Sequence, residues 1–251
     1  MLTDIERAKK IYSEKGISRL AVKSIHFGYN RFIRPFLPRQ EVKYNNVPVK
    51  AARLGDRYIP WRSFNRPNYE EAIIRGIQDY VSEGDHVCIV GGGWGVSTVA
   101  AAFQVTDSGR VYTFEGAKQA FEQVRETVSY NSVNEVVQIN HAIVASAHSL
   151  YGADGGANVV APLELPDCDA LILDCEGAEI EILEEMTIEP RIVIVETHGL
   201  YGAPKRKVKK SLSEKGYEVV ATNVADSDSR EFCLDNEIFV LIGVKEGDNF
   251  L

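Results

Sequence analysis

The sequence contains few cysteines and no long apolar run, and each shortage excludes a class of protein. Its 251 residues include only 4 Cys, without the CxxC or CxH spacings that are typical of zinc sites. They are Cys88, Cys168, Cys175 and Cys233. We therefore expect reduced, mostly buried thiols, as in a cytoplasmic protein. No stretch approaches the roughly 18 consecutive apolar residues that a membrane span requires, so we also expect a soluble protein.

Positive charge is also in short supply, since 28 Lys and Arg face 36 Asp and Glu and the formal net charge is −8. Because binding to phosphates needs clustered Lys and Arg, this balance predicts that nucleic acid is not a partner. One segment, residues 16–40, has five basic residues and no acidic ones. The five are Arg19, Lys23, Arg31, Arg34 and Arg39.

The basic segment has three readings. It forms a helical lid whose arginines pair with the acidic main domain, it makes peripheral contact with an anionic membrane surface, or it grips an anionic acceptor. We favour the lid, and residues 1–67 are predicted to be an N-terminal helical and irregular extension. A capping box at Thr3–Glu6 predicts its first helix.

The remainder, residues 68–251, alternates apolar strand-like segments with helical ones, and Asn68 is predicted to cap the first helix. Continuously apolar strands separated by helices are typical of a parallel sheet that is covered on both faces. We predict an α/β, doubly wound, Rossmann-like domain with about seven mostly parallel strands. The pattern shows no helix between the last two strands, which predicts an antiparallel strand at one edge.

A glycine cluster, GGGWG at residues 91–95, follows the first strand of this domain and precedes a helix. In doubly wound sheets, ligands bind beyond the carboxyl ends of the strands. Glu115 ends the next strand, 20 residues after Gly95, where a carboxylate typically accepts hydrogen bonds from the hydroxyls of an adenosyl ribose. The combination predicts a cofactor that contains adenosine.

The spacing of the glycines narrows the choice of cofactor. A dinucleotide fingerprint that begins at Gly91 requires Gly or Ala at position 96, which is Val96 here, and no P-loop GK[ST] follows. S-adenosylmethionine has no phosphate to seat, and the G-x-G-x-G spacing favours it. An NAD-type oxidoreductase is the first alternative, and a non-catalytic binding module that retains the fold is the second.

From about residue 85 to 220, the chain resembles the FkbM-type class I S-adenosylmethionine-dependent methyltransferases. The resemblance rests on GGGWG, VYTFEGAKQAFEQVRETVSYN, LILDCEGAEIEIL and IVETH. Its most distinctive part is an Asp-x-Glu-Gly-x-Glu run that is matched by Asp174, Glu176, Gly177 and Glu179. It implies S-adenosylmethionine as methyl donor and transfer to a hydroxyl of a sugar, glycan or small metabolite. Ile89 stands where this class usually carries an acidic residue.

The candidate cofactor contacts lie at or near the predicted strand ends. They are Gly91, Gly92, Gly93, Trp94, Gly95, Glu115, Gly116, Asn140, Asp174 and Glu176. Trp94 has two readings, stacking on the cofactor or filling the core. Asn140 is expected to end the third strand, where adenine is often contacted.

The candidate catalytic residues are Asp174, Glu196 and His198, and His198 is the only one whose ordinary pKa is near neutrality. Their competing readings are structural: Glu176 and Glu179 cap the following helix, and a neighbour satisfies His198. Carboxylate and imidazole ligands suit a metal ion, but the spacing of these residues gives no support for one, and we expect none. The expected acceptor is a hydroxyl-bearing small molecule or glycan.

Overall fold

The computed structural model describes residues 27–58, 65–144 and 155–247. The chain forms two compact units, residues 1–41 with 51–64 and residues 42–50 with 65–251. The predicted capping box and first helix, together with Arg19 and Lys23, lie outside the described residues. Within the described ranges, no helix is long and apolar enough to cross a membrane.

The first unit contains short helical turns at Tyr29–Ile33 and Arg34–Phe36. Arg34 pairs with Asp56 at 2.8 Å, and both residues belong to this unit. For this arginine, the expected pairing with the acidic main domain is therefore wrong.

A β-hairpin follows, with strands β1 (Arg39–Tyr44) and β2 (Val47–Arg53). The helical and irregular structure predicted for these residues is therefore wrong. The turn residues Asn45 and Asn46 have φ of 44° and 65°. Two consecutive positive φ angles are typical of a type I′ hairpin turn, and asparagine tolerates this conformation better than most residues. The Asn-Asn pair between alternating segments was the signal that the sequence reading missed.

The second unit is built on an eight-stranded sheet. Its strands are β3 (His86–Val90), β4 (Arg110–Glu115), β5 (Val137–Val144), β6 (Asn158–Val160), β7 (Ala170–Leu173), β8 (Ile192–Glu196), β9 (Tyr217–Val224) and β10 (Phe239–Lys245). Its helices are α1 (Glu71–Tyr80), α2 (Val96–Val105), α3 (Lys118–Tyr130), α4 (Glu179–Glu185), α5 (Lys205–Glu214) and α6 (Arg230–Asp235).

The strand order in this sheet is β6-β5-β4-β3-β7-β8-β10-β9. The first six strands in this order, β6-β5-β4-β3-β7-β8, are parallel to one another. Strand β10 is antiparallel to both of its neighbours, β8 and β9. The order reverses at β3, which has β4 on one side and β7 on the other, so the carboxyl ends of these strands form the crevice where such sheets bind ligands. The predicted Rossmann-like, mostly parallel sheet is confirmed.

Three details of this unit differ from the prediction. The sheet has eight strands because the short β6 pairs with β5, whereas the last two strands, β9 and β10, form an antiparallel pair at one edge as predicted. The six-residue helix α6 separates the last two strands, where none was expected. Helix α1 begins at Glu71, and no side chain caps it. The side chain of Asn68, the predicted cap, instead donates to Asp228 Oδ1 at 2.9 Å.

The central strands supply the core, which explains their continuous apolar pattern. Every residue of β7 is buried, and so are the first four of β8. The cysteines are free thiols, as expected, with Cys88 and Cys233 buried. Because β7 and the buried part of β8 are apolar, the polar residues of this region stand at the carboxyl ends of these strands, and the candidate site lies there.

Helix α1 packs on this core through Gly76. A Cβ at Gly76 would lie 3.0 Å from Ile194 Cδ1 and 3.2 Å from Ile242 Cδ1. We predict that Gly76→Ala costs less stability in an Ile194→Val background, which lacks that Cδ1 atom, by about 0.5 kcal/mol or more. Urea unfolding of the wild type, both single variants and the double variant measures this coupling. Equal costs in the two backgrounds would show that this contact does not limit the packing of α1.

Candidate active site

The glycine turn after β3 is held close to the end of β7. Gly91 has φ +96°, and a Cβ there would lie 1.8 Å from the backbone oxygen of Asp174. Glycine is thus required at this position because two strand ends approach each other, and not only because a ligand approaches. Gly93, with φ +51°, faces the other way, and a Cβ there would be 3.6 Å from Glu70 Oε1 and 3.8 Å from the Tyr69 hydroxyl.

Glu115 at the end of β4 binds the backbone of this turn. The structure therefore brings together the glycine cluster and the carboxylate, the two features that predicted the cofactor. Its Oε2 accepts from the amides of Gly92 at 2.9 Å and Gly93 at 3.1 Å, and its Oε1 accepts from the amide of Ala117 at 2.8 Å. A carboxylate offers about four acceptor positions. Three are taken by backbone amides, which leaves room for about one ribose hydroxyl rather than two. Gly116 is buried directly after β4, between this strand and α3.

Asn140 does not lie where the sequence predicted. It is in the middle of β5, which continues to Val144. Its Oδ1 accepts from Gln138 Nε2 at 3.2 Å, and its Nδ2 lies 3.5 Å from the backbone oxygen of Thr113. The expectation that Asn140 ends the strand is wrong, because the apolar pattern after it belongs to the same strand.

His141, which the sequence reading missed, is better placed beside the turn. It is the register partner of Glu115 across β4 and β5, and its ring lies 4.8 Å from that of Phe121. Its Nε2 is buried and has no hydrogen-bond partner among the described residues. An orphaned ring nitrogen next to Glu115 fits a ligand that contacts this part of the site. No sequence motif announces His141, because its position follows from the register of the strands.

Trp94 packs within an aromatic cluster. Its ring meets that of Tyr44 edge-on at 5.9 Å, and Tyr44 lies 4.9 Å from Tyr69. The half-buried Trp94 therefore already has an aromatic neighbour on one side, and its contact with a cofactor stays a prediction.

The three predicted catalytic residues converge at the ends of β7 and β8. His198 is buried, and its Nε2 lies 3.6 Å from Asp174 Oδ1 and 3.6 Å from Glu196 Oε1. Its Nδ1 lies 2.6 Å from Glu179 Oε1. Glu179 is fully buried as the first residue of α4, and its Oε2 accepts from the amide of Gly177 at 2.8 Å. One structural interpretation holds, since Glu179 satisfies one nitrogen of His198. The other is wrong, because no side chain caps α4 and the Gly177 amide that Glu179 binds precedes the helix.

A cavity of about 270 Å³ opens in front of these residues. Its lining is strongly acidic: five carboxylates and one histidine, with no Lys or Arg among the described lining residues. The polar and charged ones are Tyr69, Glu70, Asp174, Glu176, Glu196, His198, Asp226 and Ser229. Glu70 was missed by the sequence reading, because it lies at the start of α1, far from the motifs in sequence.

Burial, and then the neighbouring carboxylates, raise the pKa values of these groups. Burial raises the pKa of Glu70 to about 8, with the charge of Asp174 adding to it. Burial and then the charge of Asp174 raise the pKa of Glu176 to about 7, and the same two causes raise that of Glu196 well above its usual range. The raised pKa values favour protonated carboxyl groups near neutral pH, and a cation that enters the cavity would take the place of these protons.

The histidine responds in the opposite sense. Burial by itself lowers the pKa of His198, but the hydrogen bond with Glu179 and the charges of Asp174 and Glu179 outweigh it, so the pKa is raised. Burial also raises the pKa of Asp174, and the neighbouring His198 partly opposes that increase. The side chains of the cluster therefore titrate together.

Comparison with known proteins gives distant relatives. No family model matches the chain. It is 29% identical over 153 residues to the ribosomal protein L11 methyltransferase of an Exiguobacterium species, covering 61% of this chain and 44% of that protein. It is 26% identical over 176 residues to the ribosomal protein L11 methyltransferase of Bacillus subtilis, covering 69% of this chain and 51% of that protein. The chain thus spans about half the length of these curated relatives.

Among solved structures, Aeropyrum pernix fibrillarin with natively bound S-adenosyl-L-methionine aligns with a TM-score of 0.44 and 13% identity, over 66% of this chain and 68% of that one. The fold of the second unit is that of the class I S-adenosylmethionine-dependent methyltransferases, as the strand order and the curated relatives agree. The sequence resemblance holds at the level of this class.

The relatives correct our expectation about partners. We expected a hydroxyl-bearing small molecule or glycan as acceptor, no nucleic acid, and peripheral membrane contact as an option for the basic segment. The curated relatives are, by name, methyltransferases of a ribosomal protein. The expected small-molecule or glycan acceptor and the exclusion of nucleic acid are therefore wrong, because composition and net charge do not report the class of acceptor. Membrane contact of the basic segment stays a prediction.

The close approach at Gly91 can be tested against a matched glycine. We predict that Gly91→Ala destabilises the protein by about 2 kcal/mol or more, because the methyl group collides with the Asp174 carbonyl. Gly156→Ala is the control, since Gly156 also has a positive φ, +82°, but a Cβ there meets nothing within 4 Å. It should cost only about 1 kcal/mol. Equal losses in urea unfolding would show that backbone conformation, and not the collision, makes Gly91 necessary.

Proposed function

We propose that this protein is an S-adenosylmethionine-dependent methyltransferase that acts on a ribosomal protein. The observation that carries the proposal is the contact between Glu115 and the amides of Gly92 and Gly93, at the point where the strand order reverses. The acidic cavity at the adjacent ends of β7 and β8 supplies the second half of the site. The distant relationship to L11 methyltransferases supports the reaction class.

The residues of the turn fit the cofactor. Glu115 retains about one acceptor position for a ribose hydroxyl. Its register partner is His141, whose buried Nε2 has no hydrogen-bond partner among the described residues. When bound, S-adenosylmethionine supplies a methyl group that its sulfonium sulfur has already activated. The protein therefore contributes mainly alignment.

Asp174 links the cofactor end of the site to the reactive end. Its backbone amide donates to the Val90 oxygen at 2.9 Å, and its backbone oxygen closes on Gly91. Its side chain lies beside His198. Since one residue belongs to both ends, the distance between the turn and the acidic cluster is fixed by backbone contacts. We propose that Asp174, Glu196 and His198 orient the acceptor.

The lining of the cavity suits a basic protein segment as acceptor. Its carboxyl groups, with no Lys or Arg among the described lining residues, attract a segment rich in Lys and Arg. The resemblance to FkbM-type proteins enters the proposal only through the run from Asp174 to Glu179, which forms part of the acidic wall. The acceptor class is not taken from it.

The cofactor half of the proposal predicts the effect of Glu115→Gln. An amide nitrogen in place of one carboxylate oxygen would face the backbone N–H groups of the turn, so we expect S-adenosylmethionine affinity to fall about tenfold or more. Isothermal titration calorimetry measures it. Glu122→Gln, on the exposed face of α3, is the control and should leave the affinity unchanged. Equal affinity of the Glu115→Gln variant and the wild type would contradict the assignment.

The acceptor half predicts where a labelled methyl group goes. Ribosomal proteins and ribosomal RNA, separately purified, are incubated with the protein and S-adenosylmethionine that carries a labelled methyl group. We expect label in the protein fraction that resists ribonuclease and is lost with protease. Label in RNA alone would contradict the protein acceptor, and label in neither would contradict the proposed function.

A further inference from the structure

We propose that Asp174, Glu196 and His198 form a site for one divalent transition-metal ion, such as Mn²⁺ or Zn²⁺. The ligand atoms of these three residues all lie within 4.8 Å of one another. The site goes beyond the proposed methyl transfer, and only its use in orienting an acceptor rests on that function. The sequence alone predicted no metal, because the three residues come from two strand ends whose contact is not visible in their spacing.

The distances fit a metal cage better than hydrogen bonds. At 3.6 Å, the contacts from His198 Nε2 to Asp174 Oδ1 and to Glu196 Oε1 are both too long for hydrogen bonds. An ion that lies about 2.1 Å from each ligand in tetrahedral geometry places the ligands about 3.4 Å apart. The two separations from His198 Nε2 need to shrink by only a few tenths of an ångström to meet that value, and all three ligand atoms already lie within 4.8 Å of one another.

The other nitrogen of the imidazole is held as metal sites require. Glu179 Oε1 lies 2.6 Å from His198 Nδ1, and the fully buried Glu179 is itself fixed by the amide of Gly177. When Nδ1 carries the proton and donates it to this carboxylate, the lone pair of Nε2 points at the two acidic side chains. A carboxylate–histidine pair of this kind orients metal-binding imidazoles and raises their basicity. Glu179 is therefore a positioning residue.

The surroundings of Glu70 independently favour a cation in this cavity. Glu70 lines the same cavity, and its Oε2 is buried with no hydrogen-bond partner among the described residues. A buried carboxylate oxygen without a partner is costly unless a positive charge lies near it. When Glu70 is ionised, its charge raises the pKa of Glu196. One divalent ion would offset the charges of two of the carboxylates that meet here.

The ligand set and its accessibility indicate the kind of ion. Imidazole suits transition metals and carboxylates suit harder ions, so a mixed set favours Mn²⁺ or Zn²⁺ over Ca²⁺. The side chains of Asp174 and Glu196 remain 28% and 15% exposed, so an ion can enter from the cavity. Three protein ligands leave open coordination positions, where water or an oxygen of an acceptor can bind.

Titration of the chelator-treated, full-length protein with MnCl₂, without S-adenosylmethionine, tests the site by calorimetry. We expect one ion per chain and a loss of affinity of about tenfold or more in each of Asp174→Asn, Glu196→Gln and His198→Ala. Glu179→Gln should weaken binding about 10- to 100-fold although it does not touch the ion. Asp226→Asn, which removes a carboxylate from the same cavity but not from the cluster, is the matched control and should change affinity less than threefold.

Two results would overturn the site: no binding by the folded wild type, or an equal loss in Asp226→Asn and His198→Ala, which would indicate diffuse attraction. If the variants fail to fold, electron spin echo spectroscopy of Mn²⁺ on the wild type should show coupling to an imidazole nitrogen, and its absence also overturns the proposal. A simple alkylammonium ion that binds where Mn²⁺ does not would assign the cavity to an amine instead. S-adenosylmethionine binding is measured separately in chelator, so failure of the metal site and failure of the methyltransferase are distinguishable.

Discussion

The approach of β3 to β7 at their carboxyl ends is the constraint on which the site depends. At Gly91, the backbone of one strand end lies against the Asp174 carbonyl of the other, closer than any side chain allows. This contact places the amides that Glu115 grips beside the cluster of Asp174, Glu196 and His198. The turn and the acidic cluster are therefore two sides of one crevice, and a change at Gly91 would move both.

The acidic cavity is maintained against electrostatic repulsion. Gathering carboxylates in a poorly solvated place costs free energy, which is why the pKa values of Glu70 and Glu176 are raised. Part of the cost is offset by His198, whose imidazole is fixed by Glu179. A protein gains nothing in stability from such a cluster, so its presence at the strand ends indicates binding. A cation, carried by a basic substrate segment or as a metal ion, is the ligand that this arrangement suits.

The sequence predicted most of the structure of residues 68–251 and missed the hairpin that precedes it. Apolar segments such as residues 86–90 and 192–196 predicted strands because both faces of a central parallel strand are buried. The hairpin at Asn45 and Asn46 was missed because the prolines on either side of it favoured an irregular structure over a pair of strands. Asn140 was misplaced because an apolar run does not show where a strand ends, and Glu70 and His141 entered the site without any local signal.

The sequence by itself determined the fold class, the glycine turn and the residues Glu115, Asp174, Glu196 and His198, since each follows an apolar strand and must emerge at the same edge of the sheet. Only the tertiary structure decided how these groups meet. Register sets His141 beside Glu115, and helix packing brings Glu70 into the cavity. The start of α4 aims Glu179 at His198. Such contacts join residues far apart in the chain, and their distances depend on packing that no local pattern encodes.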